Sequence, residues 1–393
     1  MLQQKMHGKP FVYLDSAATA QKPKCVIDAL HRFYTHEYGT VHRAIYEFAA
    51  KATAHYSAVR EIVKNFLNAS SAEEIIFTKG TTDAINLVAA SFGRAFLHEG
   101  DEVLISEMEH HSNIVPWQMI CKERKAHLKV IPMNDRGELI LAEYEILLTP
   151  RTKIVSIAHI SNVTGTQNPI EEMIALAHKK GAKVMIDGAQ SAPHIPVDVR
   201  KLDADFFAFS GHKAYGPTGI GVLYGKKELL DRMPPYQGGG DMVDRVSFEE
   251  TTYQRLPLKF EAGTPMIAEV IGLGEALKYI ENVGRNNIAA WDKMLLEYAT
   301  AKILGIDGLQ IYGTAPIKGP VLSFGVAGVH PLDIGSLLDV KGVAIRTGNL
   351  CAQPTLKHFG VTSMARASFA LYNTREDIDI FVEALRSALA VLK

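Results

Sequence analysis

The segment from Asp203 to Tyr224, DADFFAFSGHKAYGPTGIGVLY, decides how the rest of the chain is interpreted. Two short apolar runs within it, Phe206 to Phe209 and Ile220 to Leu223, are typical of buried strands bounded by turns. The residues between the runs, SGHKAYGPTG, contain three glycines and a proline and cannot continue either strand. The pattern therefore predicts that Lys213 lies at the end of a strand, next to the core.

A lysine in this position can act as a nucleophile. Burial disfavours the charged ammonium, and the neutral amine that results can attack a carbonyl to form a Schiff base. A lysine beside a strand can equally point into solvent and have no chemical function. On this segment alone the two interpretations are about equally favoured.

The composition excludes several classes of partner. The 393 residues are 47% hydrophobic and 22% charged, with a net charge of -1, so neither nucleic acid nor a membrane surface is an expected partner. No apolar run reaches the roughly 18 residues that a spanning helix needs. The first residues lack the apolar segment of a signal peptide, and we therefore expect the cytoplasm.

Three cysteines, Cys25, Cys121 and Cys351, lie far apart without CxxC spacing. This spacing indicates neither a disulfide framework nor a zinc site, and the HExxH motif of zinc enzymes is also absent from the sequence. We therefore expect no metal.

Short apolar runs alternate with helical patterns over the first part of the chain. The runs lie at 74–77, 102–105, 128–131, 153–157, 183–186, 206–209 and 221–224. Helices are expected at 24–37, 51–68, 82–97, 141–148 and 171–180. This alternation predicts an α/β fold with a mostly parallel, seven-stranded sheet. Since only about ten residues join the last two strands, the last one should be antiparallel to its neighbours.

A second, smaller α/β unit is expected after the sheet. A helical pattern from Ile267 to about Asn282 looks like a bridge, and strands at 321–326 and 342–346 and a helix over 375–392 follow it. The predicted division is a large ligand-binding domain at 13–265, a linking helix at 266–290, and a small domain at 291–393 together with 1–12.

In open α/β sheets, ligands bind beyond the carboxyl ends of the strands. After the first strand, Gly80, Thr81 and Thr82 open a helix whose free N–H groups would suit a phosphate. A plain N-cap by Thr81 or Thr82 is the alternative interpretation. The absence of a Walker A or GxGxxG motif disfavours an NTPase or a dinucleotide site.

Two histidines and a carboxylate follow other strands. His110 and His111 are adjacent, so one can cover a ligand ring while the other is structural. Asp187 ends an apolar strand, where an unpaired carboxylate is costly, and it therefore needs a cationic or donor partner. An arginine elsewhere in the core is the alternative to a ligand.

Lys213, Asp187 and the helix start at Thr82 together match the needs of one cofactor. Pyridoxal phosphate (PLP) requires an amine for its aldehyde, a carboxylate for its pyridinium nitrogen and a site for its phosphate. Each feature alone is weak, but all three lie at strand ends of the same predicted sheet. The sequence therefore predicts a PLP site.

Ten segments, spread nearly from end to end, form a recognisable set. They are YLDSAATAQKP (13–23), VHRA (41–44), GTTDAINLVA (80–89), EMEHHSNIVPWQ (107–118), SNVTGT (161–166), DGAQSAPH (187–194), FSGHKAYGPTGIGVLYG (209–225), FEAGTP (260–265), RTGNLCAQP (346–354) and RASFALYNT (366–374). In content and order they resemble the class V aminotransferase superfamily of fold-type I PLP-dependent transferases. Within it, the chain is most similar to the Suf-type (group II) cysteine desulfurases.

The resemblance implies how PLP would be held. Lys213 would bind it covalently and later move a proton, Asp187 would pair with the pyridine nitrogen, and His110 would stack on the ring. Gln190 would hydrogen-bond to the ring hydroxyl. The phosphate would be bound by several further residues: Thr82, Ser210, His212 and, from the second subunit of a homodimer, Thr264.

The resemblance also implies the reaction. Asn162 and Arg366 would bind the carboxylate of L-cysteine, and Arg346 would favour a thiolate or contact the substrate. Cys351 would take the sulfur as a persulfide, leaving L-alanine, and would pass it to an acceptor protein for iron-sulfur cluster assembly. A selenocysteine lyase and a non-catalytic scaffold of the assembly machinery are the alternatives.

The chain departs from the family pattern at two places. The family usually has a histidine immediately before the cysteine, where this chain has Asn349-Leu350, and a glycine where it has Ala44. Leucine cannot exchange a proton, so thiol activation would depend on other groups. The segment from Gly348 to Pro354 is expected to be an exposed loop.

Overall fold

A computed structural model describes residues 2–42 and 44–393 of the chain. Arg43, within the VHRA segment, and Met1, within the predicted small domain, lie outside the described residues. The strands are β1 Lys5–Met6, β2 Lys9–Pro10, β3 Val12–Tyr13, β4 Ile75–Thr78, β5 Glu102–Ser106, β6 His127–Ile131, β7 Thr152–Ala158, β8 Lys183–Asp187, β9 Phe206–Ser210, β10 Gly221–Gly225, β11 Val243–Val246, β12 Thr251–Tyr253, β13 Leu309–Tyr312, β14 Val321–Val326, β15 Val343–Ala344, β16 Arg346–Gly348 and β17 Met364–Ser368.

The α-helices fill the connections between these strands. They are α1 Lys24–Arg32, α2 Glu47–Leu67, α3 Thr81–Phe96, α4 Val115–Arg124, α5 Leu141–Leu147, α6 Ile170–Lys179, α7 Lys227–Arg232, α8 Ile267–Val283, α9 Arg285–Ile303, α10 Pro331–Val340, α11 Gln353–His358 and α12 Arg375–Leu392. None of the helices in the described part of the chain has the length and apolar character needed to cross a membrane.

The main sheet has seven strands in the order β4-β10-β9-β8-β7-β5-β6. Strands β9, β8, β7, β5 and β6 are parallel, whereas β10 pairs antiparallel with both β9 and β4. Both the mostly parallel sheet and the antiparallel last strand are thus confirmed. The connection between β9 and β10 contains no helix and is too short for a parallel return.

Helices cover both faces of the main sheet, which explains why its strands are apolar throughout. Successive residues of one strand point to opposite faces, so Phe207 packs with α2 and α8 whereas Phe206 packs with α3 and α4. Trp117 of α4 is completely buried in this second layer. The layers cover the faces of the sheet and leave the ends of its strands accessible to a ligand.

A second sheet has the order β13-β14-β17-β16 and packs against α9, α10 and α12 around its own core. The single strand predicted at 342–346 is wrong. Val343 pairs with Val12 of β3, whereas Arg346 pairs with Arg366 of β17, because the chain changes partner at Ile345.

The first two predicted helices also differ in their bounds. The helix predicted to reach residue 37 ends as an α-helix at Arg32 and continues to Glu37 as a π-helical segment. The Thr35 hydroxyl donates a hydrogen bond to the His31 carbonyl there, at 2.7 Å, and so competes with the helical pattern. Helix α2 starts four residues before the predicted position 51.

Candidate active site

A cavity of about 270 Å³ lies beyond the carboxyl ends of the main-sheet strands, where the second sheet faces them. Eleven of the twelve predicted site residues line it: Thr82, His110, Asn162, Asp187, Gln190, Ser210, His212, Lys213, Arg346, Cys351 and Arg366. The twelfth, Thr264, is exposed and does not line this cavity. The fold therefore gathers residues that are almost 300 positions apart in sequence.

Lys213 lies in the tight turn that follows β9. The turn is closed by backbone bonds, including Gly211 N–H to the Ile220 carbonyl at 2.8 Å and Ala214 N–H to the Gly211 carbonyl at 2.9 Å. The Lys213 amine has no hydrogen-bond partner among the described residues. Burial lowers the pKa of this amine to about 8, against the attraction of Asp187. A neutral, reactive amine is therefore accessible near physiological pH.

Asp187 ends β8 on the floor of the cavity. One of its oxygens accepts a hydrogen bond from the Ala189 N–H at 2.9 Å. No arginine in the described part of the chain bonds to it, so the alternative of an arginine partner is wrong. Burial raises the pKa of the Asp187 carboxyl, while Ala189 and Lys213 oppose that rise. A cationic ligand group would therefore find an unshared carboxylate here.

The start of α3 forms another wall of the cavity. Its N-cap is Gly80, without a side-chain cap, so the alternative of a threonine N-cap is wrong. Instead, the N–H and the hydroxyl of Thr81 both lie 2.8 Å from the Ser210 hydroxyl. A Cβ atom on Gly221 would lie only 2.4 Å from Gly80 Cα, so the close approach of β10 to this turn requires glycine.

The two adjacent histidines have separate environments. His110 lines the cavity, and its pKa is lowered to about 4, first by burial and then by Lys213. Its ring is therefore neutral at pH 7. The His111 ring instead accepts a hydrogen bond at Nε2 from the Gln353 N–H at 3.1 Å, and the backbone N–H of His111 donates to the Cys351 carbonyl at 2.8 Å. It holds the loop that carries Cys351.

Glu109 is a buried site residue that was not predicted from the sequence. Its carboxylate accepts hydrogen bonds from Asn113 Nδ2 at 2.6 Å, from the Ala158 N–H at 3.0 Å and from the Ser106 hydroxyl. Burial raises the pKa of Glu109 to about 7. These bonds fix the backbone that carries His110 to the cavity-lining end of β7.

Asp15 also escaped prediction, although it belongs to the quoted segment YLDSAATAQKP. Arg346 and Arg366 lie opposite each other on β16 and β17, and Asp15 bonds to both, at 2.9 Å and 3.3 Å. Arg366 also donates to the Asn162 carbonyl at 2.9 Å. Its buried Nε has no partner in the described part of the chain. An anionic ligand group could use that donor.

Cys351 lies at the rim of the cavity, exposed and unpaired. It follows β16 and precedes α11, and both Leu350 and Cys351 adopt left-handed backbone conformations, with φ of 53° and 54°. Asn162 Nδ2 donates to the Leu350 carbonyl at 2.8 Å, and the Cys351 N–H donates to Asn349 Oδ1 at 3.0 Å. The thiol is therefore presented on a fixed turn.

The expectation of an exposed loop is wrong at Ala352, which is fully buried, and at Leu350. Its side chain is only 7% exposed and packs in a small apolar cluster with Val163, Leu356 and Met364. Leu350 also lines the cavity. It serves as an apolar anchor of the turn. The local sequence of the loop could not predict this role, because it depends on contacts with other elements.

Comparisons with known proteins give a consistent result. The family model described as Aminotransferase class-V matches residues 12–381. The chain is 51% identical over 386 residues to the probable cysteine desulfurase 1 of Mycobacterium leprae, covering 98% of this chain and 63% of that protein. It is 51% identical over 387 residues to the cysteine desulfurase of Pectobacterium atrosepticum, covering 98% of this chain and 95% of that protein.

Solved structures agree with these relatives. The cysteine desulfurase CsdA (S-sulfonic acid) of Escherichia coli superposes with a TM-score of 0.92 at 45% identity, covering 98% of this chain and 96% of that one. The apo cysteine desulfurase of Thermococcus onnurineus superposes with a TM-score of 0.94 at 35% identity, covering 99% and 98%. The chain spans only 63%, 56% and 62% of the length of the first three curated relatives that it matches.

Proposed function

Because the chain belongs to the aminotransferase class-V family, we propose that it is a PLP-dependent L-cysteine desulfurase of the Suf type, which converts L-cysteine to L-alanine and keeps the sulfur as a persulfide on Cys351. The observation that carries this proposal is that an exposed cysteine and a buried lysine line one cavity. The lysine suits PLP chemistry in general, whereas the cysteine can accept the sulfur that L-cysteine loses.

The residues of the cavity fit PLP. Lys213 offers an amine without a hydrogen-bond partner among the described residues, and Asp187 offers a carboxylate with no cationic side chain bonded to it. The start of α3 offers the N–H of Thr82, while Ser210 and His212 lie beside it in the lining. Gln190 and His110 complete the set around the ring.

When bound, PLP would supply an electron sink for the substrate carbon that carries the amino group. Lys213 would hold the cofactor, and its amine would take the proton from the Cα atom of the substrate and return it to that atom before L-alanine leaves. Asp187 would keep the pyridine nitrogen protonated through its negative charge. His110, neutral at pH 7, would cover the ring without adding a charge.

Arg366 would bind the substrate carboxylate, since its Nε is buried and unpartnered in the described part of the chain. Asn162 and Asp15 hold the same guanidinium in place. Arg346 shares Asp15 but is exposed, so it is suited to attract the incoming substrate at the mouth of the cavity. A lysine could not replace the planar fork of Arg366.

Cys351 would accept the sulfur while its own side chain is a thiolate. Its Sγ would attack the substrate sulfur, an S–S bond would form and the C–S bond would break. The electron pair of that bond would stay on the substrate Cβ, which would take up, through Lys213, the proton that the Cys351 thiol had given up, and L-alanine would leave. The persulfide on the exposed turn would then be transferred to a thiol of an acceptor protein, for iron-sulfur cluster assembly.

A homodimer is the proposed assembly. Thr264 is exposed and does not line the cavity of its own subunit, which suits a residue that binds phosphate across an interface. Large apolar side chains lie exposed before and within the first turn of α2 and on the hairpin of β11 and β12, including Ile45, Phe48 and Phe248. Such a surface favours burial against a second copy.

The domain division predicted from the sequence is retained as a proposal, with the small domain supplying Cys351, Arg346 and Arg366. The cytoplasm is the proposed compartment, since all three cysteines are free thiols.

The substitution Cys351→Ala tests the proposed reaction. It removes a thiol from an exposed turn, so PLP binding and dimerisation should survive. Alanine formation from L-cysteine should fall to near background, because no thiolate remains to take the sulfur. Alanine is measured in a coupled assay, and mass spectrometry of the wild type checks for a persulfide on Cys351.

The same variant separates the alternatives. A selenocysteine lyase would keep most of its activity on L-selenocysteine, because the weaker carbon-selenium bond can break without that attack. For a scaffold, both proteins would be inactive on both substrates. Full alanine production from L-cysteine by Cys351→Ala would contradict the role of this residue. Cys25→Ala, at an exposed thiol outside the cavity lining, is the matched control.

A further inference from the structure

The segment of residues 15–22 lies between β3 and α1 and forms part of the wall of the active-site cavity. At its start, Asp15 bonds to Arg346 and Arg366. At its end lies Lys22, a half-buried residue to which the proposed function assigns no role. The contacts of Lys22 lead to the turn that carries the cofactor-binding lysine.

The Lys22 amine has only neutral partners. Its Nζ donates to the Ala20 carbonyl at 2.5 Å, to the His212 carbonyl at 2.9 Å and to the Thr19 hydroxyl at 3.5 Å. No carboxylate in the described part of the chain forms an ion pair with it. Burial lowers the pKa of this amine to about 8. Burying a cation without a counter-charge is costly, so its retention points to a role for the bonds that it makes.

These bonds converge on the His212 carbonyl. That oxygen also accepts the Ala20 N–H at 3.0 Å and the Thr19 hydroxyl at 3.2 Å, so three donors of the segment reach one acceptor. A bond from a charged donor is roughly twice as strong as one between neutral groups, which makes Lys22 the main contributor. The carbonyl belongs to the peptide bond between His212 and Lys213. Holding it fixes the backbone from which the Lys213 side chain extends.

We propose that Lys22 is a positioning residue for Lys213: its amine holds the His212 carbonyl in place and so keeps the Lys213 side chain in its desolvated position. This role rests on the proposed function, in which Lys213 first binds the cofactor and then moves protons of the substrate. Both tasks need the same amine at a fixed place, and a displacement of about 1 Å can cost about a hundredfold in rate.

The effect of Lys22 would pass through the backbone. Three groups shift the pKa of the Lys213 amine by their charge: Asp187, Arg366 and Cys351. Two further titratable groups interact with this amine and are neutral at pH 7, because burial lowers their pKa values to about 4: His110 and His212. Lys22 is not among these groups. A substitution of Lys22 that alters the titration of Lys213 would therefore report a change in the position or hydration of the Lys213 side chain.

The substitution Lys22→Met tests this role, because it keeps a long side chain and removes the donor. Acetic anhydride modifies neutral amines, and mass spectrometry of the Lys213 peptide follows the reaction against pH in full-length protein stripped of cofactor. The midpoint should lie near pH 8 in the wild type. It should rise by about one pH unit in Lys22→Met, since a looser turn admits water and hydration favours the charged amine. Thr19→Val, which removes a neutral donor, should cause a smaller rise.

Hydrogen exchange measures the order of the turn directly. In the PLP-loaded protein, the amides of residues 211–216 should exchange at least about tenfold faster in Lys22→Met than in the wild type. The reason is that local opening of the turn costs less free energy once the charged donor is lost.

Lys318→Met is the matched control. Lys318 is also half-buried, its amine donates to the Gly313 carbonyl at 2.5 Å, and burial lowers its pKa to about 8, but it lies outside the cavity lining. This variant should keep the wild-type midpoint and the wild-type exchange of the turn. An unchanged midpoint or unchanged exchange in Lys22→Met, or equal changes in Lys318→Met, would overturn the proposal. Neither measurement depends on turnover of L-cysteine, so a failure of the proposed reaction would show separately, as absent alanine formation.

Discussion

The side chain of Lys213 shows how strongly its surroundings set reactivity. An exposed lysine is almost fully protonated at neutral pH, whereas burial at the end of β9 brings the pKa of this amine to about 8. Only the neutral amine attacks an aldehyde, so the titration of this one group should control how the cofactor is captured.

Cofactor capture should therefore depend on pH. The initial rate at which cofactor-free protein gains the visible PLP absorption should rise from pH 7 to 9 with a midpoint near 8, because the amine loses its proton in that range. The rate is followed by stopped-flow absorbance, and borohydride reduction of Lys213→Ala should trap no PLP. A rate that keeps rising beyond pH 10 would mean that the amine is not desolvated.

The position of a single site residue was predictable from the sequence where that residue lies at the end of a strand. Asp187 and Lys213 follow apolar runs, so their position at one edge of the sheet was accessible from the sequence. Glu109 was not, because its importance comes from three donors that converge on it from different elements. Contacts between distant elements of this kind leave no periodic pattern in the sequence, so they could not be predicted from it.

Among the elements, the turn between β16 and α11 was predicted least well. Its composition of small and polar residues suggested exposure, but Leu350 is buried against a cluster that includes Val163, nearly 190 residues earlier. The strands of the main sheet were predicted almost to the residue because runs bounded by turns determine them locally. The split between β15 and β16 depended on two distant partner strands and could not be found in this way.

Leu350→His should lower the stability of the protein. A polar ring would replace a leucine that is 7% exposed, so the free energy of unfolding should fall by about 2–3 kcal/mol. Urea unfolding measures the change, and Leu350→Met, which keeps an apolar side chain of similar volume, should cost less than about 1.5 kcal/mol. Equal stability of wild type and Leu350→His would show that this side chain does not anchor the turn.

At the scale of the whole molecule, Ile45, Phe48 and Phe248 present exposed apolar surface on the single subunit. The proposed dimer accounts for this surface and for the exposed Thr264 together. It also makes cofactor binding a property of two chains, because one phosphate contact would come from the partner.

Phe248→Asp should weaken the dimer. In a symmetric interface the change occurs twice, and loss of about 1.5 kcal/mol or more per phenylalanine weakens dimerisation by about a hundredfold. Sedimentation velocity at low micromolar protein should show dimers for the wild type, with a larger monomer fraction and weaker PLP binding for the variant. Ile146→Asp, at an exposed position of α5, is the control. A variant that dimerises like the wild type would place the interface elsewhere.

The pairing of β4 with β10 sets an order of events during synthesis. Strand β4 lies at the edge of the main sheet, and the strand with which it pairs, β10, is made about 145 residues later. Until β10 emerges from the ribosome, β4 has no partner strand to hold the turn at Gly80 against Ser210. Because non-local pairing of this kind forms late, the nascent chain carries an open strand edge that invites aggregation for much of translation. Chaperone demand should therefore peak before residue 225 is made and fall once that strand closes the sheet.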